Sequence, residues 1–279
     1  MMEKIVKSDN LQLWTESIGN KQDIPCLLIS GAGAPAKFWS DNFCRQLVEA
    51  DYFVIRYDHR DQGLSDAVDW DTNPYTVKDL ADDAIQILNA YEIKKAHVVG
   101  HSMGGRIAQL LAIYYADRLF SFTSMSVATA GKIGLPPKEV MDILLENKPI
   151  QDFAKDLPSF MRSWKILNGD YEVDEEMAKQ YTQDFYIRSK HPVGVAWNHI
   201  RCQEDFNDLR KQLKNNTVPG LFIHGEKDPL IPVQGAKDTA QATANSKLII
   251  IPGMGHMFFN RKLESQIANF LLAHFKKIH

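Results

Sequence analysis

Two rhythms of apolar residues alternate along the chain. Near the N-terminus the short alternating stretches "EKIVKS" and "LQLWTES" flank Asp9-Asn10, which predicts an antiparallel hairpin. There follow the near-continuous apolar runs "PCLLIS" and "YFVIRYD", then "TVKDLADDAIQILNAYE" with apolar residues at helical spacing, the run "KAHVVG", and a second helical segment "GGRIAQLLAIYYA". Apolar runs separated by helices are strands buried on both faces, so the pattern predicts an α/β chain with a mostly parallel, doubly wound sheet. The alternation returns late in "VPGLFIHG", a helix near "PVQGAKDTAQAT", the strand "SKLIII" and the closing helix "LESQIANFLLAHFKKI".

Between these two stretches the rhythm changes. From residue 131 to 215 the strand-like runs stop and the sequence becomes helical and charged, with aromatics at Phe153, Phe160, Trp164, Tyr171, Phe185, Tyr186 and Trp197. The simplest division is a core domain of residues 1–130 and 216–279 with a helical cap, residues 131–215, inserted between two strands. Most of the aromatics are then expected to form the cap's own small core. Trp164 and Trp197 are assigned to a pocket between cap and sheet.

Composition narrows the function. With 279 residues, 44% of them apolar, the chain buries a full core, and a net charge of −3 offers no nucleic-acid surface. The three cysteines, Cys26, Cys44 and Cys202, form no C-x-x-C pair, so neither a zinc cluster nor a disulfide framework is expected. The first residues lack the apolar centre of a signal peptide, and the longest apolar runs, "CLLI" and "LIII", are too short to span a bilayer. A cytoplasmic protein without a membrane partner is the expectation.

The turn "ISGAGAPAKFW", residues 29–39, contains Gly31-x-Gly33-x-x-Ala36, and Asp58 stands where a dinucleotide fingerprint would place its ribose-binding acid. That fingerprint follows the first strand of its domain, however, whereas this turn follows the third. "HVVGHSMGGRIAQLLA", residues 97–112, decides the matter. There Gly100-x-Ser102-x-Gly104 lies between an apolar strand and an amphipathic helix, the context of a nucleophile elbow, where small residues let the chain turn sharply and expose a serine.

A serine hydroxyl needs a base. In the order Ser, acid, His that this arrangement uses, "LFIHGEKDPLIP" supplies Asp228 and "LIIIPGMGHMFF" supplies His256, each just past a strand's C-terminal end. Glu226 is the rival acid. His101 is read as packing or pocket lining, and His59, His97, His191, His199, His224, His274 and His279 have no comparable context. Acyl transfer passes through an oxyanion that needs two N–H donors, for which Met103 and Ala32 are the candidates. On this reading the turn holds an oxyanion instead of a pyrophosphate.

These residues together resemble the α/β-hydrolase family across nearly the whole chain. "RYDHRDQGLSD" followed by "HVVGHSMG" is similar to its aclacinomycin methylesterase group, from which the chain departs at His101 and Gly105 and most of all in the cap. The resemblance implies a cofactor-free hydrolase of carboxylic esters with Ser102, Asp228 and His256 as its triad, a small-molecule ester as partner and no metal. Hydrolysis of carbon–carbon bonds in ring-cleavage products, a perhydrolase or haloperoxidase activity, and an inert binding module are left as alternatives, and a homodimer is left open.

Overall fold

The computed structural model describes residues 1–128, 138–140, 142, 152–191, 197–203 and 208–278. The expected cap boundary at residue 131, and His279, lie outside the described residues. An eight-stranded sheet forms the centre, in spatial order β1-β2-β4-β3-β5-β6-β7-β8. Its strands are β1 Met2–Ser8, β2 Leu11–Ile18, β3 Ile24–Ile29, β4 Tyr52–Tyr57, β5 Ala96–His101, β6 Leu119–Met125, β7 Gly220–Gly225 and β8 Ser246–Ile251. β2 runs antiparallel to β1 and β4, and the other neighbours are parallel.

Helices cover both faces: α1 Asp41–Val48, α2 Val77–Ala90, α3 Met103–Tyr114, α4 Phe153–Leu167, α5 Glu175–Ile187, the short α6 Asn198–Arg201 and α7 Arg210–Leu213, α8 Val233–Ala242 and α9 Arg261–Phe275. β3, β4 and β5 are buried along most or all of their length, as a sheet covered on both faces requires. Among the described residues no helix is long and apolar enough to cross a membrane, and all three cysteines are buried and free.

The apolar-run pattern does not pick out β6, whose sequence is "LFSFTSM". Its two buried serines are satisfied by neighbours: Ser121 Oγ lies 2.7 Å from His97 Nδ1, and Ser124 Oγ accepts from Gln109 Nε2 at 2.8 Å. A strand can carry buried serines whose hydroxyls find partners in this way. α1 is similarly inconspicuous, and begins where Ser40 Oγ accepts from the Phe43 N–H.

The aromatics between β6 and β7 pack on one another, Phe153 on Tyr186 and Phe160 on Trp164 and Phe185. They also continue inward. Trp164 and Tyr181 contact Phe259, and Tyr181 contacts Phe38, so the inserted helices share a hydrophobic cluster with the sheet. The chain turns left from β3 to β4 and crosses back to β5 on the other side. This makes the C-terminal ends of β3 and β5 the place where the strand order reverses, the position at which open sheets hold ligands.

Candidate active site

Ser102 sits at the tip of β5, between the strand and α3, with φ 53° and ψ −121°. A non-glycine residue in that left-handed region costs on the order of 1–3 kcal/mol, so the surroundings must hold it there. Its N–H donates to Met125 C=O at 2.8 Å, and its C=O accepts from the Gly105 and Arg106 N–H groups. The flanking glycines are obligatory. A Cβ on Gly100 would stand 1.9 Å from the Gly104 carbonyl oxygen, and one on Gly104 would stand 2.3 Å from that of Ile29.

Ser102 Oγ lies 3.1 Å from His256 Nε2, and His256 Nδ1 lies 2.9 Å from Asp228 Oδ2. The other carboxylate oxygen, Oδ1, accepts from the Leu230 and Ile231 N–H groups at 2.9 Å each. Burial by itself would raise the Asp228 carboxyl. The facing His256, reinforced by its hydrogen bond, by His224 and by the Ile231 N–H, instead holds it below the usual carboxylate range. A carboxylate accepts only, so Nδ1 of His256 carries the proton and Nε2 turns its lone pair toward Ser102. Glu226 faces elsewhere and accepts from the Gly253 N–H at 3.2 Å.

His256 is held largely from outside its own segment. Met257 N–H donates to Leu167 C=O at 2.8 Å, Gly255 N–H to Asn168 C=O at 3.3 Å and Phe259 N–H to Asn168 Oδ1 at 2.7 Å. The end of α4 therefore clamps the histidine loop. A Cβ on Gly255 would stand 2.2 Å from the Leu167 carbonyl oxygen, so the close approach needs glycine. Leu167 and Asn168 carry no local sequence signal for such a role, because the partners lie about ninety residues away in the chain.

The turn after β3 faces the elbow. Ile29 pairs with Gly100 across the parallel strands, and a Cβ on Gly31 would come within 3.1 Å of Ser102 Cβ. Ala32 thus sits beside the serine, and Met103 is the first residue of α3, where an N–H has no partner within the helix. The helix start adds positive character at the same point.

Of the residues assigned to the pocket, His101 is packed instead: it is 2% exposed, stacks on Phe38 at 4.5 Å, and its Nε2 donates to His256 C=O at 2.8 Å. Burial, with His256 close by, pushes the His101 imidazole down to about 3. Trp164 is half-buried, with its Nε1 donating to Thr182 Oγ1 at 2.8 Å. Trp197 stands 58% exposed at the head of α6. A groove of about 750 Å³ between α1 and α5 is lined by Lys37, Asp41, Arg45, Glu176 and Gln180, and lacks Ser102 and His256.

The loop after β4 docks the inserted segment. Arg188 donates to Asp58 Oδ2 at 2.8 Å, Lys190 N–H to Gly63 C=O at 2.9 Å, and Asn198 Nδ2 to Asp61 Oδ2 at 3.1 Å. Asp58 Oδ1 meanwhile accepts from the Ala36 N–H at 2.7 Å. Asp58 therefore braces protein loops, and the ribose-binding role is not what its partners support. Among the described residues no group of histidine, cysteine and acidic side chains could hold a metal ion.

A family model described as alpha/beta hydrolase fold matches residues 25–262. Rhodomycin D methylesterase DnrP of Streptomyces peucetius is 30% identical over 278 aligned positions, covering 92% of this chain and 92% of that protein. Among solved structures, esterase RhEst1 from a Rhodococcus species matches with a TM-score of 0.81 at 18% identity over 100% of both chains. A meta-cleavage product hydrolase from Pseudomonas fluorescens matches with 0.79 at 19% identity, over 99% of this chain and 98% of that one. At those identities the two structures share the fold and no more.

Proposed function

The chain belongs to the alpha/beta hydrolase fold family, and on that premise we propose that it hydrolyses a carboxylic ester through a covalent intermediate on Ser102. The observation that carries this reading is the hydrogen-bonded run from Ser102 Oγ through His256 to a doubly anchored Asp228, with distances of 3.1 and 2.9 Å. His256 Nε2 takes the hydroxyl proton as Oγ attacks the ester carbonyl, and Asp228 stabilises the resulting imidazolium. The N–H groups of Ala32 and Met103 receive the oxyanion. His256 then protonates the departing alkoxide, and a water molecule, deprotonated by the same nitrogen, releases the acid and restores the serine.

The relative that is 30% identical is named a methylesterase, which supports a methyl ester as the substrate class to test first. We read residues 131–215 as a cap that selects the acyl part, a reading supported by the contacts of α4 and α6 with the loops around Ser102. Three free, buried cysteines fit a reducing, cytoplasmic setting. The test is labelling with a fluorophosphonate, followed by turnover of esters varied separately in acyl and alcohol parts. Ser102→Ala is expected to abolish both labelling and turnover, with kcat falling by about 10⁶. Unchanged turnover in that variant would overturn the assignment.

A further inference from the structure

Residues 31–34 form a β-turn in which the Ala34 N–H donates to Gly31 C=O at 3.2 Å. Gly33, at the third position, has φ +67°, whereas Ala32, at the second, is not among the residues with positive φ. That combination is a type II turn. Types I and II differ by a flip of the central peptide, and glycine at the third position tolerates both orientations. The direction of the Ala32–Gly33 peptide must therefore be selected from outside the turn.

One side chain makes that selection. His199 Nδ1 accepts from the Gly33 N–H at 2.9 Å, and His199 Nε2 lies 2.7 Å from the Arg60 carbonyl oxygen. A carbonyl accepts only, so the proton sits on Nε2 and Nδ1 presents its lone pair. The ring is fully buried, and desolvation keeps it below the ordinary histidine range and hence neutral. The groups facing it are His59, whose ring is 5.6 Å away, the Arg60-Asp61 segment, and Cys202 one turn further along. Asn198 fixes α6 on the loop after β4 through Asp61 Oδ2 at 3.1 Å and Val68 C=O at 3.2 Å, so the ring is delivered from a firm base.

We infer that His199 is the positioning residue of the oxyanion turn: its Nδ1 anchors the turn at the Gly33 N–H and so sets where the Ala32 N–H stands relative to the developing oxyanion. The inference rests on the reading of Ser102 and Ala32 given above. Types I and II share a φ near −60° at the second position, so the Ala32 N–H, which belongs to the Gly31–Ala32 peptide, keeps its direction through such a flip; the bond to Gly33 instead fixes where the turn as a whole stands, and the donor is carried with it. The inserted segment thereby completes a catalytic element that belongs to the sheet.

Three variants separate the two hydrogen bonds of the ring. His199→Asn can place Oδ1 where Nδ1 was, His199→Gln can reach the Arg60 carbonyl but leaves Gly33 without an acceptor, and His199→Leu keeps neither bond. Turnover of p-nitrophenyl acetate would be measured together with inhibition by phenylboronic acid, whose tetrahedral adduct on a serine mimics the oxyanion. His199→Leu and His199→Gln are expected to lower kcat by about 10- to 100-fold, somewhat less than the loss of a whole donor. KM should stay within about threefold, and boronate affinity should fall in step with kcat. His199→Asn is expected to recover most of both. Melting curves accompany the series, and if His199→Leu does not fold, the Asn and Gln pair decides. Retention of kcat within about twofold by His199→Gln would overturn the inference. So would equal losses in the Asn and Gln variants that follow melting temperature and spare boronate binding. Ser102→Ala is run alongside: activity in that variant would sink the serine reading itself, whereas a dead Ser102→Ala with an active His199→Gln would sink only the role of His199.

Discussion

The elbow at Ser102 and the turn at residues 31–34 face each other across the site, yet they are held in different ways. The elbow is shaped largely by its own neighbours in sequence: Gly100 and Gly104 make room, and the Ser102 carbonyl closes onto the Gly105 and Arg106 N–H groups, with the Ser102 N–H bond to Met125 C=O added from β6. The turn is fixed from a distance, by His199 on Gly33 and by Asp58 on Ala36. A motif of the first kind is visible in a short window of sequence. A device of the second kind appears only when the fold brings its parts together.

The sharpest way to break this contrast is to add the same methyl group on each side. In Gly104→Ala the new Cβ meets the backbone oxygens of Ile29 and Ser30 at 2.3 and 2.6 Å. Backbone cannot move aside cheaply, so more than about 3 kcal/mol of stability should be lost, seen as a fall in melting temperature of roughly 6–12 °C, with activity below detection. Gly33→Ala places a methyl at φ +67° and should cost only about 1–2 kcal/mol. Equal melting temperatures for the two variants would show that the elbow is no more constrained than the turn.

Next in size is the acid. Asp228→Asn should lower kcat by about 10⁴, because an amide at that position favours the wrong His256 tautomer. Glu226→Gln alters an exposed carboxylate on the Gly253 N–H and should stay within about twofold, the scale of a surface change of 0.5 kcal/mol. Steady-state kinetics of the two variants check this, and the reverse ranking would give the role to Glu226.

How much could be read in advance follows the same division. The parallel sheet, the hairpin and the strand-turn-helix around Ser102 follow from apolar spacing and glycine, which act over a few residues. So does the placing of Asp228 and His256 just past strand ends, since chain order alone restricts the candidates. β6 escapes the pattern because Ser121, Thr123 and Ser124 interrupt it, while the hydrogen bonds that make two of these serines tolerable come from β5 and α3. His199 and Asn168 escape for a stronger reason. Their partners, Gly33 and Phe259, are separated from them by 166 and 91 positions, and no local pattern marks a residue for work at that distance. Trp197 shows the converse, an aromatic in an inserted segment that ends up 58% exposed.

A third comparison removes one donor from the turn. Ala32 occupies the second position of a type II turn, where proline is favoured, so Ala32→Pro deletes an N–H while the backbone keeps its shape. A loss of about 100- to 1,000-fold in kcat is expected, the usual cost of one oxyanion donor. Circular dichroism and a melting curve should match the parent protein. A variant that folds normally and turns over at the parental rate would remove Ala32 from the hole.

The last comparison is of stability against pH, and it separates the two regions by their buried histidines. Behind the elbow lies His101 and beneath the turn lies His59, whose Nε2 is 3.0 Å from Ser30 C=O; burial, first of all, pushes each imidazole down to about 3. In the unfolded chain the same rings titrate near the ordinary value of about 6.5. Between those limits the unfolded state binds protons that the folded state refuses, so stability must fall as pH drops from about 6.5 toward 3. Each histidine contributes a slope of about 1.4 kcal/mol per pH unit. Replacing one ring by a residue that does not titrate should flatten the acid limb of a plot of melting temperature against pH by its own share. His59→Gln, which keeps a donor for the Ser30 carbonyl, and His101→Gln, which keeps one for the His256 carbonyl, are the variants to compare. If both rings stay neutral in the folded state, the two plots bend alike and each is shallower than the parent. A parental slope in His59→Gln alone would mean that the ring beneath the turn is protonated while folded, and the region held from a distance would then be the one that tolerates charge.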